Sequence, residues 1–306
     1  MWQAQTVGDL LGEAGVSSEI VIIRTAGDRL QEAPLAEIGG KRLFVKEIED
    51  ALVQGEIDLA VHSAKDMPAL LPAGLDVAAT LARDDPRDAI VMVADSRGGD
   101  LGWLRSRLGD TPSIATSSVR RMAQLAVLFP RATFKPIRGN VDTRLRKLDE
   151  SGYDALVLAA AGLRRLGLGN RITMALPVEA CCPAPGQGIV AVEIRTDDAP
   201  ARDAVRAIHD EDAGISFAAE RSLVDGLGGG CQLPLGGVAL HEDGELAMHA
   251  VVASPDGVRV IKRRERGPVS DPVALGRRLA EELRRGGAME VLEAVQRFEG
   301  PVQGSY

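Results

Sequence analysis

Cysteine, aromatic side chains and long apolar runs are all scarce in this chain, and each shortage removes a class of protein. Three cysteines in 306 residues, two of them adjacent at Cys181 and Cys182, make neither a disulfide framework nor a Cys-x-x-Cys pair. With only four scattered histidines beside them, no metal site is expected. Two Trp, two Tyr and five Phe are too few for a surface that stacks nucleobases. The longest apolar runs, such as Ala155-Leu156-Val157-Leu158-Ala159-Ala160-Ala161, are too short to cross a bilayer. The start MWQAQTVGDL lacks the basic and apolar regions of a secretory leader. The expectation is a soluble, cytoplasmic protein with no membrane or nucleic-acid partner.

Length and patterning are ordinary for a globular chain of two or three domains: 45% hydrophobic and 26% charged residues. The first half alternates short β-like runs with amphipathic helical ones, the pattern of an α/β sheet with crossover helices. Helices are predicted over Thr6–Ala14, Phe44–Gln54, Ser118–Phe129 and Val141–Asp149, with a helical turn over Gly162–Gly167. Strands are predicted over Glu19–Arg24, Ile57–Ser63, Ser113–Ala115, Thr133–Ile137, Tyr153–Ala160 and Ile189–Arg195. Pro183-Ala184-Pro185-Gly186-Gln187-Gly188 reads as a hinge, after which Ile189–Arg195 returns to the first domain. Beyond about Asp210 the texture changes to α+β. A helix over Ala213–Val224 leads into a glycine loop. A hairpin follows around Pro255-Asp256-Gly257, and a helix over Val273–Phe298 breaks near Gly286-Gly287. The expected division is 1–82 with 189–206, then 83–188, then 207–306.

The net charge is −8, yet basic residues collect between Arg120 and Arg165. Arg120 and Arg121 follow one predicted strand, Arg138 ends the next, Arg144 lies in the helix after it, and Arg164 and Arg165 follow a third. Ligands of open α/β sheets bind at the carboxyl ends of the strands, and a planar guanidinium pairs bidentately with carboxylate or phosphate. Thr116, Ser117 and Ser118 add hydroxyls and a helix N-terminus. No Walker loop or dinucleotide fingerprint accompanies them, so the expected ligand is a small polycarboxylate. At another strand end stands His62-Ser63-Ala64-Lys65-Asp66. There Asp66 is suited to steady a developing cation and relay protons, with His62 in support. A structural Lys65–Asp66 ion pair is the plain alternative.

One stretch resists that reading: Leu227-Gly228-Gly229-Gly230-Cys231-Gln232-Leu233-Pro234-Leu235-Gly236 sets a thiol behind three glycines, an arrangement costly to order. Together with VHSAKDMP (61–68), ATSSVRRMAQL (115–125), IRGNVDTRLRKLD (137–149), AGLRRLGL (161–168) and PAPGQG (183–188), it resembles the porphobilinogen deaminase, or hydroxymethylbilane synthase, family over almost the whole chain. The resemblance implies two lobes like those of type II periplasmic binding proteins and a C-terminal α+β domain. It implies a dipyrromethane cofactor joined by a thioether to Cys231, with the glycines leaving room for it. The activity implied is transfer of four porphobilinogen units, each losing ammonia by way of an azafulvenium-like cation, into a linear tetrapyrrole released by water.

On the same basis Asp66 is the expected catalytic carboxylate. Lys65, Ser117, Arg120, Arg121, Arg138 and Arg144 are expected on the cofactor, and Arg165 and Phe44 on the substrate. Each pyrrole carries an acetate and a propionate, which independently calls for arginines. A monomer is expected. Family members begin with a strand and a T-R-x-S-x-L-A-L-like motif ahead of W-Q-A-Q, whereas this sequence opens at Met1-Trp2-Gln3-Ala4-Gln5. The expectation is an upstream start, or else a truncated chain of poor activity. The competing class is a non-catalytic two-lobed carboxylate-binding protein, which gives Cys231 no role.

Overall fold

The computed structural model describes residues 1–23, 45–68, 70–93, 98–150, 152–228 and 234–298. Cys231 and Phe44 lie outside them.

The first lobe opens with helix α1 (Trp2–Glu13). Its Val7 and Leu11 pack on a three-stranded sheet of β1 (Leu59–Ser63), β2 (Leu75–Thr80) and β8 (Val190–Arg195), ordered β1-β8-β2 and antiparallel throughout. The face turned from α1 meets α2 (Lys46–Val53) through Leu52 and Ala60. Glu19–Arg24, predicted as a strand, is not one over its described part 19–23, where Val21 and Ile22 are 56% and 69% exposed. An apolar extended run becomes a strand only where a neighbour takes its backbone hydrogen bonds, and among the described residues none does.

The second lobe holds a five-stranded sheet ordered β5-β4-β6-β3-β7. Its strands are β3 (Asp88–Val91), β4 (Ser113–Ala115), β5 (Thr133–Lys135), β6 (Ala155–Ala159) and β7 (Met174–Ala175). Strand β4 runs parallel to β5 and β6, whereas β3 is antiparallel to β6 and β7. Central β6 is buried on both faces, as a strand covered on either side must be. Leu156 and Leu158 pack with Leu145 and Leu148 of α5 (Val141–Glu150), while Ala155 and Val157 join Leu104 of α3 (Leu101–Leu108) and Leu125 of α4 (Val119–Leu128). Helix α6 (Ala160–Arg165) starts directly at the end of β6.

After β8 come α7 (Ala199–Arg206) and α8 (Glu211–Gly226), and then a sheet of β9 (Leu235–Glu242), β10 (Glu245–Ala253) and β11 (Val260–Pro268) in the order β11-β10-β9. The β9–β10 hairpin turns on Asp243 and Gly244 at φ of 53° and 82°, the left-handed pair a two-residue Asp-Gly turn uses. The final helical stretch is two helices, α9 (Pro272–Arg285) and α10 (Ala288–Phe298), parted at Gly286-Gly287. α8 and α9 cross so closely that a β-carbon on Gly276 would stand 2.2 Å from the Ala219 carbonyl oxygen. The fold is thus two α/β lobes and a C-terminal α+β domain. Among the described residues no helix is long and apolar enough to cross a membrane.

Candidate functional site

Strand β1 ends in a short 3-10 turn, Ala64–Asp66, that presents half-buried Lys65 and Asp66. The turn is held from three sides. The Ala64 N–H donates to Ile189 O at 3.0 Å. His62 Nε2 lies 3.0 Å from Glu193 Oε2 on the neighbouring strand, both residues buried. Arg221 of α8 donates to Pro68 O at 3.1 Å. His62 is thus a buried residue paired with Glu193 on the strand that leads into the turn.

Across the second lobe, Ser117 follows β4 and bonds reciprocally with Ile137, its hydroxyl donating to Ile137 O at 2.7 Å and accepting the Ile137 N–H at 2.9 Å. That exchange joins the carboxyl ends of β4 and β5. Ser118 caps α4 by accepting the Arg121 N–H. Arg138 is exposed on the next loop, and half-buried Arg144 donates Nε to Gly139 O at 2.8 Å. Gly139 adopts φ 114°, and a β-carbon there would stand 2.7 Å from Thr143 Cγ2.

Arg120 and Arg121 share a carboxylate of the protein itself. Both are buried on Asp88 at the start of β3, Arg120 at 2.6 Å and Arg121 at 2.8 Å. Arg120 also donates to Cys182 O at 2.6 Å, Arg121 to Val157 O at 3.0 Å, and Gln187 Nε2 to Asp88 at 3.0 Å. A carboxylate inside the protein has already lost its water and holds guanidinium more firmly than an external anion does. Burial by itself raises the Asp88 carboxyl, but the two arginines outweigh it and hold the group well below the usual carboxylate range.

Two guanidiniums against one carboxylate leave a surplus positive charge. Arg144 feels it: burial first, and then the charge of Arg121, push its guanidinium downward. Among the described residues no carboxylate pairs with Arg144. This half-desolvated cation beside a net-positive cluster is the part of the structure that calls for an anion.

Arg165 reaches from its lobe to the first helix of the chain. It donates to Gly188 O at 2.6 Å, lies 3.7 Å from Asp84, and sits 5.4 Å over the Trp2 ring of α1. Trp2, Asp84, Leu81 and Val190 line with it an open groove of about 610 Å³. Asp66, Ser117 and Arg144 do not line that groove, so it is not where the predicted residues converge.

Sequence reading missed Asp88, Gln187 and the pairing of half-buried Arg83 with fully buried Glu220, at 2.5 Å. A faint signal existed for Glu220: a carboxylate at helical spacing among Phe217, Leu223 and Val224.

The architecture is that of a two-lobed α/β protein with a C-terminal α+β domain, with cations at its strand ends and an acidic turn. Residues 1–203 match the family described as "Porphobilinogen deaminase, dipyromethane cofactor binding domain", and residues 215–285 match "Porphobilinogen deaminase, C-terminal domain". The chain is 46% identical to the porphobilinogen deaminase of Thiobacillus denitrificans over 300 residues, 96% of this chain and 95% of that protein. The Acidithiobacillus ferrooxidans enzyme of the same name is 44% identical over 298 residues, covering 97% and 94%. That of Syntrophobacter fumaroxidans is 44% identical over 283 residues, covering 92% and 89%. Among solved structures, the Bordetella pertussis BvgS periplasmic VFT2 domain aligns at a TM-score of 0.35 with 18% identity, over 68% of this chain and 76% of that one. The chain belongs to the porphobilinogen deaminase family. Its function is that of hydroxymethylbilane synthase, a transferase of porphyrin and heme biosynthesis with a dipyrromethane cofactor.

Proposed function

We propose that the chain joins porphobilinogen units on a dipyrromethane attached to Cys231, with Asp66 as the catalytic carboxylate. The observation that carries the assignment of the binding side is Arg144, half-buried, without a described carboxylate and beside the Asp88 cluster with its surplus positive charge. The acetate and propionate side chains of a dipyrromethane are the kind of anion this arrangement lacks, so the residues present fit the group. When bound, it supplies the free pyrrole α-carbon to which each new unit is joined.

The residues divide the work by position. Arg144, Arg138 and Lys65 hold cofactor carboxylates directly, while Ser117, its hydroxyl proton committed to Ile137 O, serves the cofactor by joining the ends of β4 and β5 beside them. Arg120 and Arg121 contribute charge from behind, through Asp88, because burial keeps their guanidiniums on that carboxylate. Asp66 opposes the positive charge left on the substrate as ammonia departs. Such a pair at 4 Å is worth about 4 kcal/mol at an effective dielectric of 20. Arg165 and Phe44 take the incoming substrate, Arg165 from its place against Gly188 and Trp2. The working division is 1–82 with 189–206, 83–188, and 207–306, acting as a cytoplasmic monomer on a small molecule, without nucleic acid or membrane.

The test is intact mass. The purified chain should carry an excess of two pyrrole units that is absent from Cys231→Ala, and porphobilinogen should extend it in steps. Asp66→Asn should fold and bear the excess but not extend it. Pyrrole retained by Cys231→Ala, or near-normal extension by Asp66→Asn, defeats the corresponding assignment.

A further inference from the structure

Two segments carry the chain between the lobes, 83–87 outward and 183–189 on return, and both converge on Glu220. Glu220 is fully buried in α8. Its Oε1 accepts Arg83 Nη1 at 2.5 Å and the Ala239 N–H of β9 at 2.8 Å. Its Oε2 accepts the Gly186 N–H at 2.5 Å and Arg83 Nη2 at 3.3 Å. Arg83 continues to Gln187 O at 3.0 Å and to Ala239 O at 3.2 Å. Beside this knot the Gly237 N–H donates to Pro183 O at 2.8 Å, and a β-carbon on Gly236 would stand 2.7 Å from Cys182 O.

Helix α8 and strand β9 are the two stalks of the stretch that contains Cys231, so the junction fastens both stalks to both crossovers. The crossover is in turn fastened to the Asp66 turn. Gly186 abuts the backbone of Ala64 and Lys65, and Ile189 accepts the Ala64 N–H. An apolar packing of equal volume stabilises a fold as well as a buried ion pair does, whereas directional bonds to backbone groups specify one geometry.

We propose that Arg83 and Glu220 are positioning residues of the transferase reaction: they hold the stalks of the Cys231 stretch at a fixed separation from the Asp66 turn, and that separation sets how many units the site accommodates. The inference rests on the reading of Cys231 and Asp66 given above. A chain tethered at Cys231 lengthens at every step while the acid stays on its turn. With the junction rigid, growth is taken up by the lobes around it.

The experiment follows the loaded wild-type protein and Arg83→Lys, which keeps the charge but not the fork, with Glu220→Asp as the second variant. Hydrogen exchange in the wild type should show the Gly186 and Ala239 amides equally protected before and after each addition. Arg83→Lys should carry the cofactor mass of the wild type and exchange those amides about tenfold faster, the factor for one charge-assisted hydrogen bond. Under limiting porphobilinogen it should show the one-, two- and three-unit complexes in altered proportions. Loss of protection at the junction as the wild-type chain grows overturns the proposal. So does a folded, loaded variant with faster exchange but wild-type proportions, because a purely structural pair slows every step alike. A wild-type chain without the two-unit mass excess sinks the reading of Cys231 instead.

Discussion

Gly186 lies directly against Lys65: a β-carbon added to the glycine would stand 2.8 Å from the Lys65 backbone nitrogen, with the glycine itself at φ 75°. The hinge between the lobes and the turn bearing Asp66 are therefore one packed unit. Both requirements, a left-handed backbone and no side chain, select glycine there.

Gly186→Ala tests that unit. Left-handed strain and contact with an immovable backbone should together cost about 2–4 kcal/mol of stability. Transferase activity should fall further than the folded fraction does, because the turn is displaced. Thermal unfolding and activity measured on the same sample check this; wild-type stability would show that the crossover moves freely.

Asp88→Asn leaves Arg120 and Arg121 buried without their counter-charge and should destabilise by about 3–5 kcal/mol. The pH dependence has a definite sign. A carboxyl depressed in the folded state contributes stability that is complete above its ordinary value, 3.8, and is lost as the pH falls below it. Wild-type denaturation midpoints should therefore drop below about pH 4, and those of Asp88→Asn should drop less over the same interval.

Arg144→Gln should weaken retention of the cofactor carboxylates by about 1.5–3 kcal/mol while leaving the fold intact, since its described protein bond is to the single carbonyl of Gly139. Arg144→Lys should recover only part of the loss, because an ammonium lacks the bidentate fork. Porphobilinogen titration monitored by intact mass reads both. Full activity in the glutamine variant would remove Arg144 from the site.

Cys181 and Cys182 are both buried, and burial above all drives their thiols up, that of Cys181 to about 12. Alkylation of the native protein near pH 8 followed by peptide mapping should find neither labelled, and denaturant should expose both. Label on Cys182 in folded protein would mean that the junction of the crossover with β9 opens.

The sequence by itself determined the chemistry and the local geometry. The motifs from 61 to 236 identified the family before any contact was known. Ser118 opens its helix as the sequence suggested, its hydroxyl accepting the Arg121 N–H within a single turn of chain. The hairpin at Pro255-Asp256-Gly257 and the helix break at Gly286-Gly287 were likewise local and legible.

Only the tertiary structure decided who meets whom. Arg120 and Arg121 read as ligand arginines in the sequence, and only the fold shows that both also bond Asp88, more than thirty residues earlier. Arg83 and Glu220 are 137 residues apart, and nothing in either neighbourhood announces the other. Residues 19–23 have the composition of a strand and do not form one. Propensity, periodicity and capping act over one or two turns of chain, so they are written where they act. Ion pairs and strand pairing depend on which segments the fold brings together, and that is settled only when the whole core closes.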